Sequence, residues 1–307
     1  MIFAPTASGK TALTRELFSA SGSHFILNAE IISADSMQVY KYMDIGTAKP
    51  DEAFCKEIPH HLINLIEPDV QFNVSDFVFR ADDLCRQIYS RGKIPVVCGG
   101  TGFYIRSFLF GLPKTPESDE KIRSELKKRI AVEGNQALYS ELKLLDPESA
   151  KVINVNDEYR ICRALEVYYT TGKTRSSFKL EKKLREDFDF FCIVLEPERQ
   201  TLYERIRKRV DLMFEQGLKE EINTLAKMGY DKNTPAMKAI GYSEWFSEDN
   251  QLRADDIVRE EIKHHSCKYA KKQYTYIKDI PGSHRVPFSA SDEDIKKISE
   301  HLKNDFK

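Results

Sequence analysis

At 307 residues and 41% hydrophobic content, the chain can bury the core of one large domain, or of a domain carrying an insertion. Its 31% charged residues cancel to a net charge of -1, which excludes nucleic-acid binding through an overall positive field and leaves that task to local basic faces. Six cysteines at 55, 85, 98, 162, 192 and 267 form no C-x-x-C pair or zinc-spaced cluster, so reduced, mostly buried thiols are expected.

No apolar run approaches the ~18 to 20 residues of a membrane span. Met1-Ile2-Phe3 is too short for a signal-peptide core, so no membrane association and a cytoplasmic location are expected. The chain then runs Ala4-Pro5-Thr6-Ala7-Ser8-Gly9-Lys10-Thr11, followed by an apolar helix face of Ala12, Leu13, Leu17 and Phe18. A strand-loop-helix ending Gly-Lys-Thr points backbone N–H groups at phosphate oxygens. The lysine adds charge, and the hydroxyl of Thr11 can reach a magnesium ion. Ala4 stands where the G-x-x-x-x-G-K-[ST] pattern has its first glycine, and only three residues precede it. Two explanations stay open. Either the strand is truncated and the native protein starts upstream of Met1, which is the expectation, or Met1 to Phe3 form a stub and Ala4 takes a conformation that glycine tolerates better.

Three short apolar runs bounded by turn residues read as buried strands: Glu30 to Ala34, His61 to Ile66 and Ile94 to Cys98. Between the last two lies a helix, with Asn73 and Asp76 as its cap and Phe77, Ala81, Leu84, Cys85 and Ile88 as its stripe. This order implies a parallel sheet covered on both faces. Asp35 therefore falls at the carboxyl end of a strand, where such folds place ligands, and can act as a general base or hold metal-bound water. The polar stretch Asp35-Ser36-Met37-Gln38 onward to Pro50 and the loop Gly99-Gly100-Thr101-Gly102 supply further walls of a site.

From Lys114 to Asp187 strand signals vanish and charged, helix-favouring sequence takes over, so residues 114–187 are expected to form a helical insertion in a core of residues 1–113 and 188–307. Phe190 to Leu195 returns the chain to the sheet. Helices are expected at Arg199 to Phe214, Leu218 to Met228, Met237 to Trp245 and Ala254 to Lys278. The fold class is α/β: a P-loop NTPase-like parallel sheet flanked by helices, with an all-helical insertion. Arg205 and Arg209 share one helix face, able to stabilise a phosphate or to sit in solvent. Lys268, Lys271, Lys272, Thr275 and Lys278 form a basic stripe interleaved with Tyr269, Tyr274 and Tyr276, and Lys173 to Lys183 is a second basic stretch.

The chain resembles the bacterial-type tRNA dimethylallyltransferases over essentially its whole length. The resemblance rests on Pro5 to Thr11, Ile32 to Ser36, Asp44 to Pro50, Gly99-Gly100-Thr101, Asn156-Asp157, Arg160, Arg163 to Val167, Gly172-Lys173-Thr174, Ala239 to Tyr242 and Lys272-Gln273. Tyr276 stands where the family usually has tryptophan. The resemblance implies transfer of a dimethylallyl group from its pyrophosphate to the exocyclic amine of the adenosine 3′ of the anticodon. Thr6, Ala7, Ser8, Gly9, Lys10 and Thr11 would hold the pyrophosphate with Mg2+, the metal lying on Thr11. Asp35 would be the base, with Thr101, Arg123 and Arg209 as further catalytic groups. Asp35, Ser36, Met37, Gln38, Thr101, Arg123, Tyr159, Arg160, Arg163, Lys238, Gly241, Lys271, Lys272, Gln273, Tyr276 and Lys278 would meet the tRNA anticodon stem-loop. A monomer is expected. Two other readings stay open: a P-loop small-molecule kinase with Arg205 and Arg209 as its lid, and a non-catalytic RNA-binding protein with a vestigial loop.

Overall fold

The computed structural model describes residues 1–178, 180, 183–278 and 280–305. It divides into two compact units, Met1–Leu109 with Arg185–Lys307, and Phe110–Leu184.

The first unit begins with β1 (Ile2–Phe3), the phosphate loop and α1 (Lys10–Phe18), then β2 (Ala29–Ser33), α2 (Glu52–Glu57), β3 (His60–His61), α3 (Val74–Ser90), β4 (Ile94–Gly99) and α4 (Gly102–Phe110). Asn73 caps α3 through a reciprocal box with Asp76, and Phe77, Ala81, Cys85 and Ile88 lie buried at the helical period. The second unit contains α5 (Glu120–Glu133), α6 (Asn135–Leu145), α7 (Pro147–Val152) and α8 (Glu158–Thr171), closed by a 3-10 turn at Arg175–Phe178. Leu126, Leu138, Leu142, Ile161 and Leu165 form its core. The chain then returns through β5 (Ile193–Glu196), α9 (Arg199–Glu215), α10 (Leu218–Lys227), α11 (Asp255–Ile277), β6 (His284–Pro287) and α12 (Asp292–Asp305).

The strands form a sheet of order β3-β2-β4-β1-β5-β6, and every pairing is parallel. Ile2 stands opposite both Cys98 and Ile193, and Ser33 opposite Cys98, so β2, β4 and β1 end side by side at their carboxyl edge. One core, built from Ile2, Leu13, Leu17, Ile31, Phe54, Val96, Leu195, Phe288 and Leu302, joins the sheet to α1 and α12. Another, with Val39, Met43, Val210, Ile222, Tyr242, Trp245 and Ile262, lies beneath the segment that follows β2.

Two expectations are corrected. The run His61 to Ile66 is a strand only at His60–His61, because Leu62 and Asn64 take left-handed φ angles of 62° and 52°. Its backbone instead bonds the segment after β2: Asn64 and Leu65 donate to Gln38 and Val39, and Lys41 donates to Ile66. Met237 to Trp245 is not one helix but two 3-10 turns, Ala236–Lys238 and Ser243–Trp245, separated by Gly241 at φ 97°. Ala4 is also unstrained. The left-handed positions of the phosphate loop are Ala7 (φ 58°) and Gly9 (φ 96°), so an alanine at position 4 pays no conformational penalty.

Glu30 of β2 is 4% exposed and accepts hydrogen bonds from His61, Arg91 and Lys93. Burial opposes its ionisation, but the hydrogen bonds from His61, Lys93 and Arg91 outweigh it and hold the carboxyl down at about 2, against an ordinary 4.5. This stabilisation is complete above pH 4.5 and fades as the pH falls toward 2. Glu30→Gln should therefore cost roughly 2 kcal/mol near neutral pH, discounted for partners half in water. Urea melts of both proteins should converge as the pH drops below about 4.

Candidate active site

Three loops meet at the carboxyl edge of β1, β2 and β4. The first is residues 4–9. Gly9 caps α1 with a left-handed backbone and no side-chain cap, which leaves the N–H groups of the first helical turn for an anion. Lys10 Nζ donates to the carbonyls of Ala4 (2.9 Å) and Pro5 (2.8 Å), which holds its ammonium in the mouth of the loop and leaves one N–H for a ligand. Burial, with Arg209 adding to it and Cys98 and Asp35 opposing, lowers its pKa to about 8. Arg209, one face of α9 with Arg205, donates to the hydroxyl of Thr6. Arg205 is turned away and donates to the carbonyl of Ser289.

The second loop carries Asp35, two residues past β2. Its Oδ1 accepts the N–H of Met37 at 2.9 Å, a local turn that fixes the carboxylate beside its own loop. The third begins at Thr101. The N–H of Thr101 donates to the carbonyl of Ala34 (3.1 Å), and its Oγ1 accepts the N–H of Ser36 (3.0 Å), so Asp35 lies between two residues bonded to Thr101. Gln38 is held at both ends of its amide, accepting from Ser33 Oγ at 3.0 Å and reaching the carbonyls of Thr47 and Ala48 at 3.4 and 3.3 Å.

Gln273 of α11 joins the first loop to the third. Its Oε1 accepts the N–H of Thr6 at 3.0 Å and its Nε2 donates to the carbonyl of Gly100 at 2.6 Å. This side chain, expected at the tRNA, is 3% exposed with both ends of its amide committed, and it braces the two loops. Gly241, also expected at the tRNA, is buried with its N–H on Glu244. Lys238, Lys271, Lys272 and Lys278 are exposed, and Tyr276 is 38% exposed and packs against Gly102.

Within the second unit, Arg123 and Arg163 share the fully buried carboxylate of Glu166, each at 3.2 Å. Burial would raise the pKa of Glu166, but hydrogen bonds from Ser118, Asp119 and Arg163 bring it below the ordinary value. Arg163 also donates to the carbonyl of Pro116 at 2.6 Å, which ties α8 to the segment before α5. Tyr159 is exposed, and Arg160 is exposed and paired with Asp157. In the basic stretch from Lys173 to Lys183, residues 179, 181 and 182 lie outside the described residues.

Tyr269, which the sequence placed only among the tyrosines of the basic stripe, lies with Asp35, Thr101 and Gln273. Burial, with Asp35 adding to it and hydrogen bonds with Thr101 and Gln273 opposing, raises its pKa to about 12. It is therefore a neutral hydroxyl among groups of the site. Its i, i+4 spacing from Gln273 on α11 is the signal that links them.

Two buried polar atoms are without a hydrogen-bond partner in this cradle, Ser8 Oγ and Arg209 Nε. Both are donors, and desolvated donors beside an ammonium fit an anion rich in oxygen. No cluster of three or more His, Cys, Asp or Glu among the described residues can hold a metal, so a magnesium ion would depend on Thr11, the anion's own oxygens and water.

A glycine-lysine-threonine loop at the carboxyl edge of a parallel sheet, with a carboxylate at the end of β2 one strand beyond the adjoining β4, defines a phosphate-handling α/β enzyme. The model of the IPP transferase family matches residues 38–280, and the chain belongs to that family. The tRNA dimethylallyltransferase of Acetivibrio thermocellus is 42% identical over 99% of this chain and 95% of its own length. That of Geobacter sulfurreducens is 39% identical over 97% and 94%. Among solved structures, a tRNA delta(2)-isopentenylpyrophosphate transferase of Staphylococcus epidermidis is 33% identical with a TM-score of 0.65, covering 99% of this chain and 97% of its own. A eukaryotic dimethylallyltransferase acting on tRNA superimposes with a TM-score of 0.82 at 28% identity, over 99% of this chain and 78% of its own. This membership sets the kinase reading aside.

Two outcomes follow from the cradle. Lys10 loses its charge as the pH rises through about 8, so pyrophosphate affinity should weaken above that pH. Calorimetric titration should show this trend in the native protein and not in Lys10→Met. Gln273→Leu, which strands the N–H of Thr6 and the carbonyl of Gly100, should lower kcat/KM by about 10- to 100-fold, a loss of about 1.4 to 2.8 kcal/mol.

Proposed function

We propose that this chain transfers a dimethylallyl group from dimethylallyl pyrophosphate to the exocyclic amine of an adenosine next to a tRNA anticodon. As a member of its family it is a transferase that prenylates tRNA. The observation that carries the finer reading is the placement of Asp35 and Thr101 beside the anion cradle, on adjacent strand ends joined by Ala34, Ser36 and Gln273.

The reaction breaks the bond between the allylic carbon and the pyrophosphate oxygen and forms one between that carbon and the adenine nitrogen. Charge gathers on the departing pyrophosphate, where Lys10, the α1 N–H groups, Ser8 and Arg209 can meet it. A magnesium ion on Thr11 would supply additional charge neutralisation there. The adenine nitrogen is a poor nucleophile because its lone pair is delocalised into the ring. As it bonds to carbon its N–H becomes strongly acidic, and the carboxylate of Asp35 can take the proton. Thr101, hydrogen-bonded to Ser36, holds the Asp35 turn and offers its hydroxyl on the same side.

A base stacked in an anticodon loop must leave its stack to reach Asp35. Ser36, Met37 and Gln38 are the residues that would line its path. The exposed Lys271, Lys272 and Lys278 would draw the RNA backbone, an attraction that weakens as salt rises.

Purified protein given dimethylallyl pyrophosphate and unmodified tRNA should yield prenylated adenosine and pyrophosphate. Asp35→Asn should lower kcat by about 10²- to 10⁴-fold while leaving pyrophosphate affinity within a factor of about two. Transfer by Asp35→Asn at the native rate would remove this carboxylate from its role, and absence of transfer by the native protein would overturn the reading itself.

A further inference from the structure

The segment that follows β2, residues 36–49, forms the wall beside Asp35, yet it is neither strand nor helix. Tyr42 and Ala48 take left-handed φ angles of 64° and 50°, and Leu62 and Asn64, which bond or flank it, take 62° and 52°. Non-glycine residues persist in that region only where their surroundings hold them there. Two charged side chains do so.

Lys49, with a side chain 3% exposed, donates from Nζ to Asp44 Oδ1 at 2.8 Å, to Asn64 Oδ1 and to the carbonyl of Tyr40. On the other side Glu221, in the first turn of α10, accepts three consecutive backbone N–H groups. Asp44 and Ile45 donate to Oε2 at 2.7 and 2.8 Å, and Gly46 donates to Oε1 at 3.1 Å. Successive N–H groups converging in this way form a concave anion site, and here the anion is a side chain of the same molecule. The hydroxyl of Tyr242 donates to Glu221 Oε1 at 2.6 Å. Its ring lies so close to Gly46 that a methyl group there would stand 2.5 Å away. Tyr242 is fully buried, and burial together with Glu221 keeps it a neutral donor.

The far end of the segment is tied to the site. Gln38 spans from Ser33 to the carbonyls of Thr47 and Ala48, Met37 donates to Asp35, and Ser36 donates to Thr101. The carboxylate that seats residues 44–46 thus also sets where residues 36–38 lie.

We propose that Glu221, seated by Tyr242, is a positioning residue for the acceptor side of the active site: it locks residues 36–49 through the N–H groups of 44–46 and so places Ser36, Met37 and Gln38 to receive the adenosine. It touches neither reactant. This role rests on the tRNA-prenylating function, and it separates the two substrates, because the pyrophosphate cradle has its own supports in Lys10, Arg209 and Gln273.

The test is steady-state transfer by the native protein, Glu221→Gln and Tyr242→Phe, with dimethylallyl pyrophosphate and an unmodified anticodon stem-loop varied in turn. It is paired with amide hydrogen exchange over residues 42–49. In Glu221→Gln the new NH2 faces N–H donors, so kcat/KM for the RNA should fall about 10- to 100-fold. The KM for the prenyl donor should stay within about twofold, and the amides of 44–46 should lose protection. Tyr242→Phe keeps the packed ring and should show the same pattern at a few-fold. Two results would overturn the proposal: RNA parameters that stay native although the 44–46 amides have lost protection, or donor and RNA parameters that fall together in proportion to the folded fraction. A native protein that transfers nothing would overturn the functional reading, and this proposal with it.

Discussion

Parallel strands that end side by side leave a row of backbone groups at their carboxyl edge which the sheet itself does not pair. In this protein the amide of Gln273 meets two of them, taking the N–H of Thr6 on one oxygen and giving a hydrogen to the carbonyl of Gly100. Thr101 and Ala34 bond each other across the same edge. These bonds join the phosphate loop, the Asp35 loop and the Gly100 loop directly to one another.

That bracing comes from helices far along the chain. α11 supplies Gln273 and Tyr269, and α9 supplies Arg209, while Leu202, Ile206 and Ala270 make the small core that Ala7 packs against. A polar amide at the centre of such a site carries a risk, since losing either partner leaves a desolvated group unpaired. Here both ends of the Gln273 amide are paired. Ser8 Oγ and Arg209 Nε are the atoms left over, and they lie where an anion's oxygens would complete them.

The acceptor side is held by different forces. Residues 36–49 belong to no strand of the sheet; beyond a few backbone bonds to residues 64–66 they are held by a buried ammonium, Lys49, and a carboxylate, Glu221, at their two flanks. Charge-assisted bonds of this kind are strong and directional, which suits a wall that must carry left-handed residues and still present Ser36, Met37 and Gln38 in one place. The second unit uses the same device once more, with Glu166 gathering Arg123 and Arg163.

Local order was legible in the sequence wherever it depends on period and spacing. The α3 stripe with its Asn73 cap, the apolar runs of β2, β4 and β5, the Gly9-Lys10-Thr11 turn and the place of Asp35 after a strand all follow from near neighbours along the chain. The same local rules misread two stretches. His61 to Ile66 looks like a strand but bonds a loop, and Met237 to Trp245 looks like a helix but turns at Gly241 to let Tyr242 reach Glu221. Gln273 and Gly241 were expected on the RNA surface and are buried, because burial depends on partners up to 267 residues away that no motif displays. The sequence by itself determined which groups are able to do chemistry, since a lysine, an aspartate and a hydroxyl are chemically specific wherever they stand. Only the tertiary structure decided which polar side chains hold those groups in place, because a hydrogen bond between distant segments exists only once the sheet has brought their backbones together.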